Sequence, residues 1–327
     1  MAQTRIGFVG AGWIVQTHLR VLAHFDDVRV VAIASRRAEP ARKLATPIGA
    51  QVFEDYRSML DRAELDAVFV AVPPNLEAEV DLAVAERGIP LFTEKPLDVN
   101  PAGPERVAEE IARRNLLTCV GYQWRYLDVV DRARELLAER PPHLLVGSWL
   151  GETPGPKWWL KVATSGGQVV EQATHIFDLA RFLLGEYEPV AAAGRKVARA
   201  AYPDTDIQDV TQTSLRFASG AIGSITTTSL LAAAHRVEIE TVSDGLALTL
   251  GVLDHRLQIR DRANAVSVFQ PESVFETPYE RQNRAFIDAV QGKPNRIRSS
   301  YADALRTHRI TTAATRLAFA EERTLRP

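Results

Sequence analysis

Ile6-Gly7-Phe8-Val9-Gly10-Ala11-Gly12-Trp13-Ile14 is a short apolar run that breaks into a glycine turn and then into a helical pattern. Such a turn after a strand suits an anion: Gly10 permits the tight bend, and Gly12 has no side chain to hold a phosphate away. The amides of a helix opening at Trp13 and Ile14 point toward the negative charge. The motif reads as a seat for the pyrophosphate of a dinucleotide, with an ordinary strand-turn-helix corner as the alternative. Val15 replaces the third glycine of the fingerprint, which would set the helix slightly off the strand.

Outward from this turn, apolar runs alternate with helical patterns as far as Tyr122, the texture of βαβ units feeding a parallel sheet. Strands are expected at residues 6–9, 28–34, 67–72, 89–92 and 117–121, and helices starting near Trp13, Pro40, Tyr56, Glu77 and Pro104. Beyond Tyr122 one amphipathic helix over 129–137 leads into strands joined by short turns. Ala218-Ser219-Gly220 and Ser243-Asp244-Gly245 each carry the glycine a tight hairpin needs. Further strands are expected at 144–149, 190–197, 256–260 and 265–269, with closing helices at 279–290 and 301–321. The fold class is α/β: an N-terminal Rossmann domain over 1–122, then a mostly antiparallel domain over 123–327 for substrate binding and oligomerisation.

The next strands refine the cofactor. About 20 residues past the glycine turn, where an NAD enzyme places an acid for the ribose hydroxyl, the chain has Ser35-Arg36-Arg37. Two guanidinium groups and a hydroxyl suit a 2′-phosphate, so NADP(H) is favoured and NAD(H) stays open; the alternative is a pair of solvated loop arginines. Val72-Pro73-Pro74-Asn75 makes a rigid corner beside the cofactor path, where Asn75 either bonds the cofactor or caps the next helix. Glu94-Lys95-Pro96 follows the apolar run 89–92, which sets Lys95 at the carboxyl end of a parallel strand, on the sheet edge that holds the cofactor. Lysine occurs only at 43, 95, 157, 161, 196 and 293, and arginine supplies the rest of the 39 basic residues. A lysine at this position answers a need for a titratable ammonium.

In the second domain, Gly166-Gly167-Gln168-Val169-Val170-Glu171-Gln172-Ala173-Thr174-His175-Ile176-Phe177-Asp178 opens a helix expected to run to Leu184 and stop at Gly185. It is apolar on most sides, and Glu171, His175 and Asp178 at i, i+4 and i+7 form one polar stripe that needs partners or a cavity. A catalytic cleft supplies both; a helix-stabilising Glu–His pair or a satisfied core histidine is the plainer reading. The segment 151–167, rich in glycine and proline, carries Trp158 and Trp159, suited either to stacking on a sugar ring or to packing the loop.

Bulk properties narrow the partners. A chain of 327 residues with 46% hydrophobic content is long enough for two cores, and a net charge of −2 gives no support for affinity to nucleic acid or to an anionic membrane. The single cysteine, Cys119, sits in an apolar run and reads as inert. Met1-Ala2-Gln3-Thr4 leads straight into the first strand without a leader-like pattern, so the expectation is a soluble, cytoplasmic protein. No metal is expected, since the seven histidines show no ligand spacing.

Gly10-Ala11-Gly12, Glu94-Lys95-Pro96 and the Gly-Gly-x3-acid-x3-His-x2-Asp run together resemble the Gfo/Idh/MocA oxidoreductases, the glucose–fructose oxidoreductase and inositol dehydrogenase family, over essentially the whole chain. The resemblance implies an NAD(P)-dependent dehydrogenase or reductase acting on CH–OH groups of a sugar, polyol or related compound. It also implies a Rossmann domain, a C-terminal domain on an open, predominantly antiparallel sheet, and a homo-oligomer such as a dimer or tetramer. The family lysine falls on Lys95, its histidine on His175, and its aspartate on Glu171. Glu171 is one methylene longer, and Glu77 stands where many members have a histidine. Gln123 and Arg125 fall in a segment near the family's substrate, although Arg125 equally suits a pin at the interdomain hinge. The rival is a sugar- or nucleotide-sensing regulator that keeps the fold without the chemistry, a role with no use for a Lys95–His175 proton relay.

Overall fold

The computed structural model describes residues 3–272 and 277–324. In chain order the elements are β1 (Thr4–Val9), α1 (Trp13–Leu22), β2 (Val28–Ala34), α2 (Ala38–Ala45), β3 (Gln51–Phe53), α3 (Tyr56–Arg62), β4 (Ala67–Val70), α4 (Pro74–Glu86), β5 (Leu91–Thr93), α5 (Ala102–Arg114) and β6 (Thr118–Val120). They continue as α6 (Asp128–Glu139), β7 (Leu144–Glu152), α7 (Val162–Ser165), α8 (Gln168–Glu171), α9 (Thr174–Leu184), β8 (Tyr187–Arg195), β9 (Val210–Phe217) and β10 (Ile222–Leu231). Last come β11 (Arg236–Ser243), β12 (Leu246–Gly251), β13 (Arg256–Arg260), β14 (Val266–Phe269), α10 (Thr277–Val290) and α11 (Tyr301–Thr324).

The chain divides into two compact units, residues 1–123 with 275–305, and residues 124–274 with 306–327. Met1 and Ala2, part of the amino-terminal reading, lie outside the described residues. An unbroken second domain over 123–327 is not what forms, because 275–305 return to the first unit. The reason is core chemistry. The six parallel strands, ordered β3-β2-β1-β4-β5-β6, are buried on both faces, and each face needs a helical cover. One face buries Phe8, Phe69 and Phe92 beneath α1, α2 and the α10 residues Tyr279, Phe286 and Ile287. The other buries Val9, Val70 and Leu91 beneath α3, α4 and α5, with Tyr301, Ala304 and Leu305 completing it. Strand β3 was not foreseen: three residues at the sheet edge are too few for a visible alternation.

The second unit holds an eight-stranded sheet, β14-β13-β12-β11-β7-β10-β9-β8, antiparallel at every junction except the parallel pair β7–β10. Both expected hairpins form, at Gly220 and Gly245. Helices α6, α8 and α9 lie on the sheet, with Phe177, Leu179 and Val129 packing on Leu145, Ile225, Ile239 and Leu248. No helix among the described residues is long and apolar enough to cross a membrane.

Candidate active site

Gly10 closes β1 with φ at +120°, and a Cβ there would stand 2.1 Å from the Ala71 carbonyl oxygen. Only glycine fits. Gly12 then caps α1 from an extended backbone, and a Cβ on it would meet open space. No side chain caps this helix and no acid lies in its first turn, so nothing there competes with an anion for the positive end of the helix. An open approach in front of uncapped amides fits the pyrophosphate of a dinucleotide, with Gly10, Gly12, Trp13 and Ile14 around it. Trp13 is exposed, Ile14 half-buried, and Val15 is buried in the core between helix and sheet, where the added side chain of the third position is absorbed. β1 and β4 are neighbours at the centre of the sheet, the place where strand order reverses and such ligands bind.

At the end of β2 the Arg37 amide donates to Ser35 Oγ at 3.2 Å, and both arginine side chains are exposed. The corner after β4 is as drawn, except that Pro73 occupies the cap position of α4 and Asn75 lies exposed in its first turn. Asn75 therefore does not cap the helix.

The end of β5 is braced from inside. Glu94 is buried; its Oε1 meets His18 Nε2 at 3.0 Å, and its Oε2 accepts the Lys95 amide at 3.3 Å. Gly121 is what admits this carboxylate, since a Cβ there would lie 2.5 Å from Oε1. His18 Nδ1 in turn faces Asn283 Oδ1 on α10 at 3.1 Å. Glu94 was expected on the cofactor and instead sets the backbone from which the half-buried Lys95 projects. A second brace links the two strand ends. Glu77 accepts the Val72 amide at 3.2 Å and the Thr93 hydroxyl at 2.9 Å. Burial, reinforced by the charge of Asp81, pushes the Glu77 carboxyl well above its ordinary range, and burial does the same to Asp81. Burial also raises the Tyr301 phenol beside them.

In the second unit the expected single helix over 168–184 is broken. The Ala173 amide bonds back five residues to the Gln168 carbonyl at 2.8 Å, and the ladder restarts from Thr174. Glu171 and His175 are thus not on one continuous helix face. Glu171 Oε2 accepts Trp159 Nε1 at 2.7 Å, and Trp159 is buried. That indole packs the loop and holds the carboxylate; it has no face to offer a sugar, whereas Trp158 is half-buried. Asp178, the third member of the stripe, takes a two-pronged pair from Arg125 at 2.7 and 2.5 Å and the Thr307 hydroxyl at 2.9 Å. Arg125 is buried, with its guanidinium also over Phe182 at 4.8 Å, contacts that suit the structural pin set beside substrate contact in the sequence reading. Gln123 is likewise committed, donating to Tyr279 Oη at 3.0 Å within the first unit. His175 is buried with its ring against Trp124. Among the described residues no group of three or more histidine, cysteine or acidic side chains is placed to hold a metal ion.

Two family models match this chain: the oxidoreductase family with an NAD-binding Rossmann fold over residues 4–122, and the GFO/IDH/MocA C-terminal domain over residues 141–244. The chain belongs to the Gfo/Idh/MocA family. This member is therefore an NAD(P)-dependent oxidoreductase. It is 29% identical over 226 residues to the myo-inositol 2-dehydrogenase of Thermotoga maritima, covering 68% of this chain and 67% of that one. It is 25% identical over 266 residues to the levoglucosan dehydrogenase of Pseudarthrobacter phenanthrenivorans, covering 70% and 68%. In fold it matches a levoglucosan dehydrogenase solved in complex with NADH, with a TM-score of 0.89 at 21% identity and 98% of both chains covered. GenD2 from gentamicin A biosynthesis, solved with NAD, gives a TM-score of 0.84 at 22% identity over 98% of this chain and 95% of that one. His18, Asn283 and Trp124, which line up behind Glu94 and against His175, are residues that sequence reading passed over. His18 left only a faint signal, one of two polar residues, with Thr17, among the buried positions of α1.

Proposed function

We propose that this oxidoreductase transfers a hydride between a nicotinamide coenzyme, NADP(H) in preference to NAD(H), and a secondary alcohol or carbonyl carbon of a sugar or polyol. The names of its inositol and levoglucosan dehydrogenase relatives support the substrate class. The bound nicotinamide supplies the hydride acceptor, or the donor in the reverse direction. As the alcohol carbon loses its hydride, the hydroxyl oxygen must lose a proton, and His175 takes it, an imidazole being suited to exchange near neutral pH. Lys95 donates a hydrogen bond to the same oxygen and stabilises the negative charge that develops there. Glu171, held by Trp159, tunes the pair with its negative charge. Gly10, Gly12, Trp13, Ile14, Val72, Pro73 and Asn75 hold the coenzyme, Ser35, Arg36 and Arg37 its 2′-phosphate, and Trp158 offers the half-open aromatic face for the ring of the substrate.

The observation that carries this reading is the setting of Lys95. It stands just past β5, on the sheet edge of the Gly10–Gly12 turn, with its backbone fixed through Glu94 and His18. In Lys95→Ala, kcat should fall by about two to four powers of ten while NADPH affinity stays within about threefold of the parent. The assay follows nicotinamide absorbance with a panel of sugars and polyols. Unimpaired turnover in the variant removes Lys95 from the mechanism.

A further inference from the structure

We infer that Trp124 is a positioning residue that fixes the ring of His175. The inference rests on the reading of His175 as the group that exchanges the substrate proton. Trp124 sits in the short 3-10 turn Gln123–Tyr126, and its ring lies on the imidazole with centroids 4.5 Å apart and planes 36° apart. Beside them stands Trp149 of β7, stacked on Trp124 at 5.5 Å and 21°, and itself 6.3 Å from the imidazole at 20°. The imidazole therefore sits in a triangle of rings with two indoles, Trp124 the nearer. Trp124 is only 9% exposed and His175 5%, so the contact is interior packing rather than a surface encounter.

The turn that carries Trp124 is locked to α9. Its next residue, Arg125, grips Asp178 with two hydrogen bonds, and Asp178 lies three residues after His175, one turn along the same helix. Two neighbouring residues of the turn thus engage α9 at two neighbouring positions: Arg125 takes the carboxylate and Trp124 takes the imidazole. Asp178 is further tied down by the Thr307 hydroxyl, which leaves the clamp little play.

What Trp124 adds follows from the torsion it restricts. Rotation about the bond between Cβ and a histidine ring has a broad, roughly two-fold profile, so an imidazole on a helix does not by itself decide where its two nitrogens point. A flat indole against one face leaves the ring free to lie along that face and penalises turning edge-on. The same face accommodates the ring in both of its working states: the neutral base stacks on it, and the imidazolium formed on taking the proton is attracted to the indole quadrupole. Proton transfer depends on the direction of one nitrogen, so loosening this ring should cost rate without costing coenzyme binding.

The test compares Trp124→Ala, Trp124→Phe and His175→Asn. Nitrogen NMR of 15N-histidine-labelled protein reports the His175 tautomer, with His175→Asn identifying its signals. The parent and Trp124→Phe should show one dominant tautomer, and Trp124→Ala a mixture. With myo-inositol or levoglucosan as substrate, kcat of Trp124→Ala should fall about tenfold to a hundredfold at unchanged coenzyme KM, and Trp124→Phe should recover to within about threefold. An unchanged tautomer in a folded Trp124→Ala protein overturns the inference, whatever the substrate. Full turnover in His175→Asn would instead overturn the reading of the site, and the tautomer result would still score the role of Trp124 in orienting the ring.

Discussion

Arg36 and Arg37 extend from the end of β2 with no hydrogen-bond partner for either guanidinium among the described residues. Arg36 lies close enough for its charge to help lower the Glu79 carboxyl, yet both exposed guanidinium groups remain accessible to an anion, and the missing acid at this position removes what would repel one. Replacing both with alanine should weaken NADPH binding about tenfold to a hundredfold and leave NADH within about threefold, read by fluorescence titration. Equal losses for the two coenzymes would end the case for a 2′-phosphate site. At this scale the chain was most legible where chemistry is local. Gly10 announces itself because backbone geometry determines what can stand there, and Gly12 leaves open space where a side chain would otherwise be. Distant partners do not announce themselves: Asn283 is 265 residues from His18, and Asp178 is 53 from Arg125. A motif says that a polar group needs company without saying who provides it, which is why Arg125 showed only as a choice between substrate contact and structural pin, and why the His18 contact of Glu94 did not show.

Among the elements, α4 carries the least expected physics. Glu77 and Asp81 lie one turn apart, both buried, with the Thr93 hydroxyl beside them. Burial raises both carboxyls, so the folded state keeps protons that the unfolded chain has already released. For an acid whose folded pKa is raised, that contribution to stability is lost as pH climbs from the ordinary value, 3.8 for Asp81, through the raised one. Asp81→Asn removes the Asp81 share of the dependence with little change of shape and leaves that of Glu77. Its melting temperature should exceed that of the parent by about 2 °C or more at pH 8, with the gap closing toward pH 4. A gap that widens toward acid would show that Asp81 is held ionised. The helix around His175 teaches a related lesson. Helical periodicity ran unbroken through 168–184, but the ladder slips by one at Ala173, because side-chain spacing records which residues are apolar and not which amide bonds which carbonyl.

For the molecule as a whole, the uncovered face of the eight-stranded sheet is mostly polar, with Ser224, Thr226, Ser214 and Glu240 on it, but it carries an open apolar patch at one end. Leu144 and Ile222 are register partners on β7 and β10, and with Val146 they are exposed, Ile222 at 60%, while the alternating Leu145 and Ile225 are buried beneath the helices. An apolar patch of this kind favours association with a second copy. The parent should sediment as a dimer or tetramer and Val146→Lys/Ile222→Lys as a smaller species; a monomeric parent would refute the proposed homo-oligomer. Fold class was readable at this scale because period-two and period-3.6 patterns survive burial. The return of residues 275–305 was not, since an amphipathic helix shows which side it buries and not which sheet receives it.

That return bears on how the polypeptide matures. Tyr279, Phe286 and Tyr301, which finish the two faces of the parallel sheet, leave the ribosome only after every strand of the antiparallel one. The nascent dinucleotide half must therefore wait, with Phe69 and Phe92 lacking the ring of Phe286 that will later cap them, until the antiparallel strands have been made and α10 has followed them. A message truncated after codon 123 would encode all six parallel strands and still not a finished globule.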